Sequence, residues 1–398
     1  MIWRRICTRV AAVFVLFGLF AAAQVPTPQA ALARLFQQPV QESWFDQQFL
    51  AQVPATWVQQ MIQQMTTSSG PFQHIETSGE GYSVVLQKAT VPVRIALNSE
   101  GRIIALLFGP PQPLQAQSIQ EAVKEFERLG GKVHVAVVVD GKLSAGFHAD
   151  DPLAVASAFK MAILGTLKTQ VAAGTHHWDE VVSLLPKWKS LPSGVLQTWP
   201  DNTHLTLATL ANEMISISDN TAADALLDII GRQNVEALAV RNRPLLSTRE
   251  MFVLKAPVYS PFLVRFRAAN EQGQRAILTE LAQQPLPSPG IFTGDPLALD
   301  VEWFFSANEL CGLMARVEDL PAMRINPGLA RPADWKQIAF KGGAESGVLT
   351  LTHGLVGKNG RHYCVAATLN DTKRLEPSQF YAAYNGLLAV LVKESSGQ

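Results

Sequence analysis

The sequence predicts an α+β protein of two domains. At 398 residues the chain is longer than a single domain usually is. Short apolar runs separated by turn residues predict antiparallel strands in residues 73–108 and again beyond residue 335, whereas most of the chain between residues 157 and 335 has helical periodicity. The Pro-rich segment "GPPQPLQAQ", residues 109–117, lies between these parts and predicts the domain boundary.

The first 23 residues have the pattern of a secretory signal peptide. Arg4, Arg5 and Arg9 precede or flank the apolar run "VAAVFVLFGLFAAA", which is short for a membrane span and ends in small residues. Cleavage near Ala23 and a secreted or periplasmic location are therefore expected, and an uncleaved signal that anchors the chain in the membrane is the alternative. Lys and Arg together number 33 and so do Asp and Glu, so a nucleic-acid partner is not expected.

Residues 24–110 predict a small α+β domain. Residues 31–67 show helical periodicity, as in "TWVQQMIQQM". Four short β-type runs follow in residues 73–108, separated by Gly, Ser, Asn and Pro, and they predict a four-stranded meander. Helices followed by an antiparallel sheet are typical of a small α+β module.

Residues 118–398 predict a second α+β domain, whose sheet is built from both of its ends. A helix, "IQEAVKEFERLG", leads into two apolar runs joined by Asp140-Gly141, which predicts a tight hairpin. Strands return near the C-terminus in "QIAFKGG", "GVLTLTHGLV" and "HYCVAATL", and a final helix follows. We therefore expect one antiparallel sheet flanked by helices, with a helical subdomain inserted in the middle.

Two cysteines remain once the signal peptide is removed. Cys311 and Cys364 could pair in an oxidising compartment, but two cysteines in a chain of this length do not make a disulfide scaffold. The sequence reading favours two buried free thiols. No metal-ligand spacing accompanies them or the eight histidines, so neither a metal nor a cofactor is implied.

Ser157-Ala158-Phe159-Lys160 is the only S-x-x-K in the chain and opens an apolar helical stretch. Residues three apart on a helix share a face, so Lys160 would lie beside the Ser157 hydroxyl. A serine needs a base to take its proton, and a buried lysine that is partly neutral can serve. Taken alone, the motif favours a structural serine at a helix start over a nucleophile.

Ser218-Asp219-Asn220 lies at the junction of two predicted helices, in "MISISDNTAADALL". Short polar residues at such a junction either cap the next helix or catalyse. Asp219 or Asn220 could be a plain N-cap. Alternatively, Ser218 relays a proton to a leaving group and Asn220 hydrogen-bonds a substrate carbonyl.

Lys341-Gly342-Gly343 lies on a late strand. Glycines would let a substrate lie against the strand edge as an added extended segment, and Lys341 would attract a carboxylate there. Taken alone this element is also nonspecific, and a second K-x-G, Lys358-Asn359-Gly360, is better explained as a hairpin turn.

The motifs S-x-x-K, S-D-N and K-x-G in this order are those of the serine β-lactamases and penicillin-binding proteins. Over roughly residues 118–395 the chain resembles the class A-like branch of that superfamily. The resemblance implies that Ser157 is acylated, that Lys160 is its general base, and that Ser218 and Asn220 complete the catalytic set.

The same resemblance implies a substrate-binding set on the late strand, formed by Lys341, Gly343 and Ala344. Lys341 would hold a substrate carboxylate. The oxyanion site would consist of the backbone N–H groups of Ser157 and Ala344, aimed at the developing negative charge.

The pattern departs from class A β-lactamases at two points. The E-x-x-L-N motif, whose Glu activates the deacylating water in those enzymes, is absent, and Glu250 and Glu302 lack its surrounding pattern. Gly342 replaces the usual Thr or Ser, which removes a hydroxyl that would hydrogen-bond a substrate carboxylate. Both departures favour a broader serine hydrolase over a dedicated β-lactamase.

The two-domain arrangement resembles bacterial serine hydrolases that join a cystatin- or NTF2-like module to a class A-like fold. We therefore expect an exported serine hydrolase that forms an acyl-enzyme at Ser157 and acts on a small β-lactam, ester or amide. A D-alanyl-D-alanine carboxypeptidase and a penicillin-binding sensor without turnover are the alternatives. A third alternative is that residues 24–110 bind a small ligand in the concavity of their curled sheet, although no catalytic constellation is visible in them.

Overall fold

A computed structural model of the chain describes residues 25–78, 81–113, 116 and 118–396. The chain divides into two compact units between residues 114 and 115. The predicted signal peptide, residues 1–23, lies outside the described residues. Within them, no helix combines the length and the apolar character that crossing a membrane requires.

The described residues of the first unit form three α-helices followed by an antiparallel meander. Its helices are α1 (Pro28–Gln37), α2 (Gln47–Leu50) and α3 (Ala55–Ser69), and its strands are β1 (Phe72–Ser78), β2 (Gly81–Leu86), β3 (Ala89–Leu97), β4 (Ile103–Phe108) and β5 (Gln112–Pro113). In α3 the residues Val58, Ile62 and Met65 recur every three or four positions and are buried, as the periodicity predicts. The four predicted strands pair in sequence order, and the short β5 additionally pairs with β3.

The sheet of the second unit has the strand order β12-β13-β14-β6-β7 and is antiparallel throughout. Its strands are β6 (Lys132–Val139), β7 (Lys142–Phe147), β12 (Gln337–Glu345), β13 (Val348–Val356) and β14 (His362–Asn370). Asp140 and Gly141 both have positive φ, as the tight turn between β6 and β7 requires. The two ends of this domain thus meet in one sheet, and β12 forms one of its edges.

Helices cover both faces of this sheet. The helices are α4 (Ile119–Glu127), α5 (Lys160–Ala172), α6 (Leu207–Ser216), α7 (Asn220–Ile230), α8 (Arg232–Glu236), α9 (Thr248–Lys255), α10 (Ser260–Ala268), α11 (Glu271–Leu281), α12 (Ala307–Val317) and α13 (Ser378–Ser396), and the remaining short strands are β8 (Leu153–Ala154), β9 (Val181–Ser183), β10 (His204–Thr206) and β11 (Phe304–Phe305). Val135 and Val137 face a core shared with α4 and α13, whereas Ala136 between them faces the core of the helical subdomain. The predicted α+β fold is confirmed.

The expectation of two free thiols is wrong, because Cys311 and Cys364 form a disulfide. Cys311 lies on α12 and Cys364 on β14, and α12 packs across that strand. This packing brings residues 53 positions apart in sequence to a Cα–Cα distance of 5.7 Å, which is within bridging range. Both residues are buried, as predicted, so only their bonding differs from the expectation.

Candidate active site

Ser157 lies in a 3₁₀ turn, Ala156–Phe159, directly before α5 begins at Lys160. Ala156 has a φ of +45°, a left-handed conformation that is rare for a residue with a side chain and recurs at functional sites. The backbone N–H of Val155 donates to the carbonyl of Trp303 at 3.0 Å, and the Trp303 ring stacks on Phe159. The turn is therefore fixed on both sides of the serine, whose own side chain is only half-buried.

Lys160 is fully buried, and its Nζ lies among neutral oxygens. These are the Ser157 Oγ at 3.2 Å, the Ser218 carbonyl at 2.6 Å, the Ser218 Oγ at 3.2 Å and the Asn220 Oδ1 at 2.6 Å. Burial lowers the pKa of Lys160 to about 7, and the more distant carboxylates of Asp224 and Asp219 oppose the shift. Near neutral pH a substantial fraction of Lys160 is thus an uncharged amine beside the Ser157 hydroxyl.

The three residues of the S-D-N motif have different tasks. Ser218 has a φ of +60° and presents its hydroxyl to Lys160. Asp219 is the N-cap of α7, where its carboxylate accepts the backbone N–H of Ala222 at 2.8 Å and those of Val195 and Leu196 at 2.6 and 2.9 Å. The capping interpretation is therefore correct for Asp219, whose carboxylate joins α7 to the preceding loop.

The Asn220 side chain is oriented by two hydrogen bonds. Its Nδ2 donates to the Leu191 carbonyl at 2.9 Å, and its Oδ1 accepts from Lys160. An amide nitrogen has two N–H groups, and the bond to Leu191 uses one of them. Gly194 makes room for the neighbouring Asp219 carboxyl group: its φ is +98°, and a Cβ at position 194 would lie 2.2 Å from the Asp219 carboxyl carbon.

Lys341 on β12 contacts Ser218, the serine that also contacts Lys160. Its Nζ donates to the Ser218 Oγ at 3.0 Å and to the Gly342 carbonyl at 2.6 Å. Burial, and then the charge of Lys160, hold the pKa of Lys341 well below its usual range. The Ser218 hydroxyl therefore lies between two lysine nitrogens, a geometry in which it can pass a proton.

Gly343 is the point at which β12 meets the Ser157 turn. A Cβ at this position would lie 2.2 Å from the Val155 carbonyl oxygen and 2.7 Å from the Ser157 nitrogen, so no larger residue fits. Ala344 follows on the strand and is exposed. The seven predicted site residues thus lie together, five of them in one hydrogen-bonded cluster and Gly343 and Ala344 along the adjoining strand edge.

Gly342, which stands where the superfamily usually has a hydroxyl, lies under an aromatic ring. A Cβ at position 342 would be 2.9 Å from the Cζ of Phe340 and 3.4 Å from the Thr350 carbonyl oxygen. The Phe340 ring also packs on His353, with centroids 4.6 Å apart. The missing hydroxyl is thus matched by a side chain that fills its space.

Neither carboxylate considered from the sequence contacts the serine. Glu250 caps α9 with Ser247 and pairs with Arg232 at 2.7 Å, and Glu302 hydrogen-bonds Lys255. Across the part of the chain that the structure describes, no carboxylate oxygen is hydrogen-bonded to Ser157 or Lys160.

Sequence reasoning missed two buried polar groups near the site. Asp224 on α7 accepts the backbone N–H groups of Thr248 and Arg249, the first residues of α9, and burial raises its pKa to about 7. Lys255 at the other end of α9 binds two carboxylates. The signal in both cases was a charged residue within an apolar stretch, in "TAADALL" and "MFVLKAP".

A comparison with known protein families gives a match over part of the chain. A sequence model described as the β-lactamase enzyme family matches residues 115–283, which include the S-x-x-K and S-D-N motifs. This match confirms the predicted resemblance to the serine β-lactamase superfamily. The identity of the first unit as a cystatin- or NTF2-like module stays a prediction.

Several solved structures are similar to the chain. A β-lactamase from Sphaerobacter thermophilus is 19% identical, with a TM-score of 0.46 over 70% of this chain and 96% of that one. A β-lactamase from Chitinophaga pinensis is 16% identical, with a TM-score of 0.47 over 69% and 97%. The protein PBP-A is 17% identical, with a TM-score of 0.47 over 69% and 95%. No curated protein matches the sequence.

Proposed function

We propose that this chain, which has the fold and the family match of the serine β-lactamase superfamily, is an exported serine hydrolase that forms an acyl-enzyme at Ser157. The observation that carries the proposal is the Lys160 Nζ, 3.2 Å from the Ser157 Oγ and surrounded by uncharged oxygens. A base with a pKa near 7 takes a serine proton efficiently at neutral pH. The substrate class is a β-lactam or a related ester or amide.

Acylation would proceed by one proton transfer in each direction. Lys160 takes the proton of Ser157 as the Oγ forms a bond to the substrate carbonyl carbon, and the carbonyl oxygen becomes an oxyanion held by the N–H groups of Ser157 and Ala344. The bond to the leaving group then breaks. Lys160 passes the proton through the Ser218 Oγ, which lies between Lys160 and Lys341, to the departing nitrogen or oxygen, which leaves as a neutral amine or alcohol.

Deacylation is the step in which this site differs from an efficient β-lactamase. Without a carboxylate at the cluster, Lys160 is the base available to take a proton from the attacking water. We expect simple esters to be released at a useful rate, and bulky penicillin acyl groups, which obstruct water, to remain bound for longer. This expectation also covers the two alternatives, a D-alanyl-D-alanine carboxypeptidase and a sensor that keeps its adduct.

The test uses the mature chain with a chromogenic cephalosporin, a penicillin and a short-chain aryl ester. Product release and the intact mass of the protein are followed together, with Ser157→Ala as the inactive variant and Ser144→Ala, an exposed serine on β7, as the matched control. Turnover that is lost only in Ser157→Ala supports a hydrolase, and the better substrate identifies the class. One bound equivalent without release supports the sensor or the carboxypeptidase. The absence of both product and adduct contradicts the proposal.

A further inference from the structure

Lys255, Glu302 and Glu345 form a buried cluster beside the candidate site. The Lys255 Nζ hydrogen-bonds the Glu302 Oε1 and lies 2.6 Å from the Glu345 Oε1. The side chains of Lys255 and Glu302 are 1% and 0% exposed, and that of Glu345 is 19% exposed. The proposed reaction uses none of the three, and a buried charged group is costly unless it has a structural or chemical task.

The cluster joins segments that hold both partners of the oxyanion site. Glu302 precedes Trp303, whose carbonyl accepts the N–H of Val155 and whose ring stacks on Phe159, so it adjoins the segment that fixes the Ser157 turn. Glu345 follows Ala344 at the end of β12. Lys255 thus connects the two backbones that would supply the oxyanion donors.

The helix that carries Lys255, α9, connects this cluster to α7, the helix that carries Asn220. Asp224, one turn after Asn220 on α7, accepts the N–H groups of Thr248 and Arg249 at 2.7 and 2.9 Å. From Thr248 to Lys255, α9 is about 12 Å long at 1.5 Å per residue. One short helix, α9, therefore links α7, which carries Asn220, to the end of β12.

The two carboxyl groups of the cluster act on the charge of Lys255. Burial raises the pKa of Glu302 well above its usual range, although Lys255 opposes the shift. The Glu302 Oε2 has no hydrogen-bond partner among the described residues. Burial would lower the pKa of Lys255, but Glu302 and Glu345 outweigh it and the pKa is raised. Lys255 is thus an ammonium ion bound by the carboxyl groups of Glu302 and Glu345.

We infer that Lys255, Glu302 and Glu345 are positioning residues that hold the end of β12 against the Ser157 turn and thereby set the spacing of the two oxyanion donors. The inference rests on the proposed function of Ser157. None of the three touches the substrate, and their effect is on how well the N–H groups of Ser157 and Ala344 converge on one oxygen.

The test compares an aryl ester with its thionoester, in which sulfur replaces the carbonyl oxygen. Sulfur is larger and a weaker hydrogen-bond acceptor than oxygen. The acylation rate of the ester divided by that of the thionoester therefore reports on the oxyanion donors. We expect Lys255→Met to lower this ratio by about tenfold, a fraction of the loss from removing one donor. Glu345→Gln and Glu302→Gln each keep the shape of the side chain but remove its carboxyl charge, and they lower the ratio less.

The matched control is Arg265→Met, which removes a cation from an exposed ion pair with Glu280. A cluster that contributes to stability alone would lower the amount of active protein without changing the ratio. An unchanged ratio in both Lys255→Met and Glu345→Gln overturns the inference, as does a ratio that falls equally in Arg265→Met.

Hydrogen exchange separates failure of this inference from failure of the proposed function. In Glu345→Gln we expect amide exchange at residues 341–346 to rise by about tenfold or more, while exchange in β6 and β14 stays as in the wild type; in Lys255→Met exchange should rise more at residues 341–346 than in β6 and β14. Wild-type protein without a Ser157-dependent product or adduct would remove the proposed function, and the exchange result would still decide whether the cluster holds β12. Unchanged exchange at residues 341–346 refutes that role.

Discussion

Lys160 and Lys255 are both buried lysines of the second unit, and burial acts on the pKa of each in the same direction. Their partners differ. Lys160 is surrounded by hydroxyl, amide and carbonyl oxygens, and its pKa falls to about 7. Lys255 is bound by two carboxylates, which outweigh burial, and its pKa rises.

The comparison shows how one residue type supplies both a base and a cation within one domain. A neutral oxygen solvates an ammonium ion without adding a charge that would stabilise it at a distance, so the amine can lose its proton. A carboxylate at the same distance keeps the proton in place. The absence of a carboxylate contact at Lys160 is therefore part of its chemistry, and the presence of two at Lys255 fixes it as a structural charge.

The largest expected effect comes from removing the proposed base. Lys160→Met should slow acylation of Ser157 by about 10³-fold, within the range that general bases contribute. The rate of adduct formation with a penicillin, followed by intact mass, measures it. Lys168→Met is the control, since Lys168 lies two turns further along α5 in an ion pair with Asp319. An equal loss in both variants would contradict the assignment.

Removing the structural cation should lower stability, in addition to its effect on the ratio of acylation rates. Lys255→Met leaves a buried carboxylate without its partner, and the free energy of unfolding should fall by about 3–5 kcal/mol. Chemical denaturation measures this loss for the second unit. The exposed pair in Arg265→Met should cost about 1 kcal/mol or less. Losses of the same size would show that burial does not distinguish the two pairs.

The wild-type stability should rise with pH above about 7, and Lys160 should be one cause. Its folded pKa is about 7 and its unfolded pKa is 10.5. The unfolded chain therefore binds more protons within this window, so raising the pH favours the folded state by up to about 1.4 kcal/mol per pH unit for this group. Denaturation at pH 7, 8.5 and 10 should show a smaller rise in Lys160→Met. A rise of unchanged size would mean that Lys160 is charged in the folded protein at pH 9.

The smallest change would give Lys160 the surroundings of Lys255. Asn220→Asp places a carboxylate where the Oδ1 now lies, 2.6 Å from the Lys160 Nζ, and should raise the pKa of that lysine. The wild-type acylation rate should rise with pH and level off above about 7, and the variant should need a pH about one unit higher or more, so that it is about tenfold slower at pH 7. Asn220→Ala, which adds no charge, should not move the midpoint upward.

Local sequence signals predicted most of the fold and the named site. The Asp140-Gly141 turn, the alternating runs and the spacing of S-x-x-K each depend on neighbouring residues, and the structure has the expected hairpin, strands and proximity of Lys160 to Ser157. The distinction between Asp219 as a cap and Asn220 as a partner of Lys160 needed the direction of each side chain, which sequence spacing does not give.

Long-range pairings could not be predicted from one sequence. The disulfide joins residues 53 positions apart, and Lys255 contacts carboxylates 47 and 90 positions away. The local context indicates a buried charge at Lys255 but not its partners, and only the packing of α9 and α12 brings each of these residues to the residues it contacts. Pairings of this kind depend on tertiary packing rather than on periodicity.

Phe340 and Gly342 form a linked pair in evolutionary terms. A threonine or serine introduced at position 342 alone would place its Cβ 2.9 Å from the Phe340 ring, so the ring would have to move before the new hydroxyl could face a substrate. Replacement of Phe340 by a smaller residue removes that obstacle first. A mutational path from this chain towards carboxylate-bearing substrates therefore has a preferred order, position 340 before position 342, and random libraries that vary position 342 alone would sample mostly the blocked route.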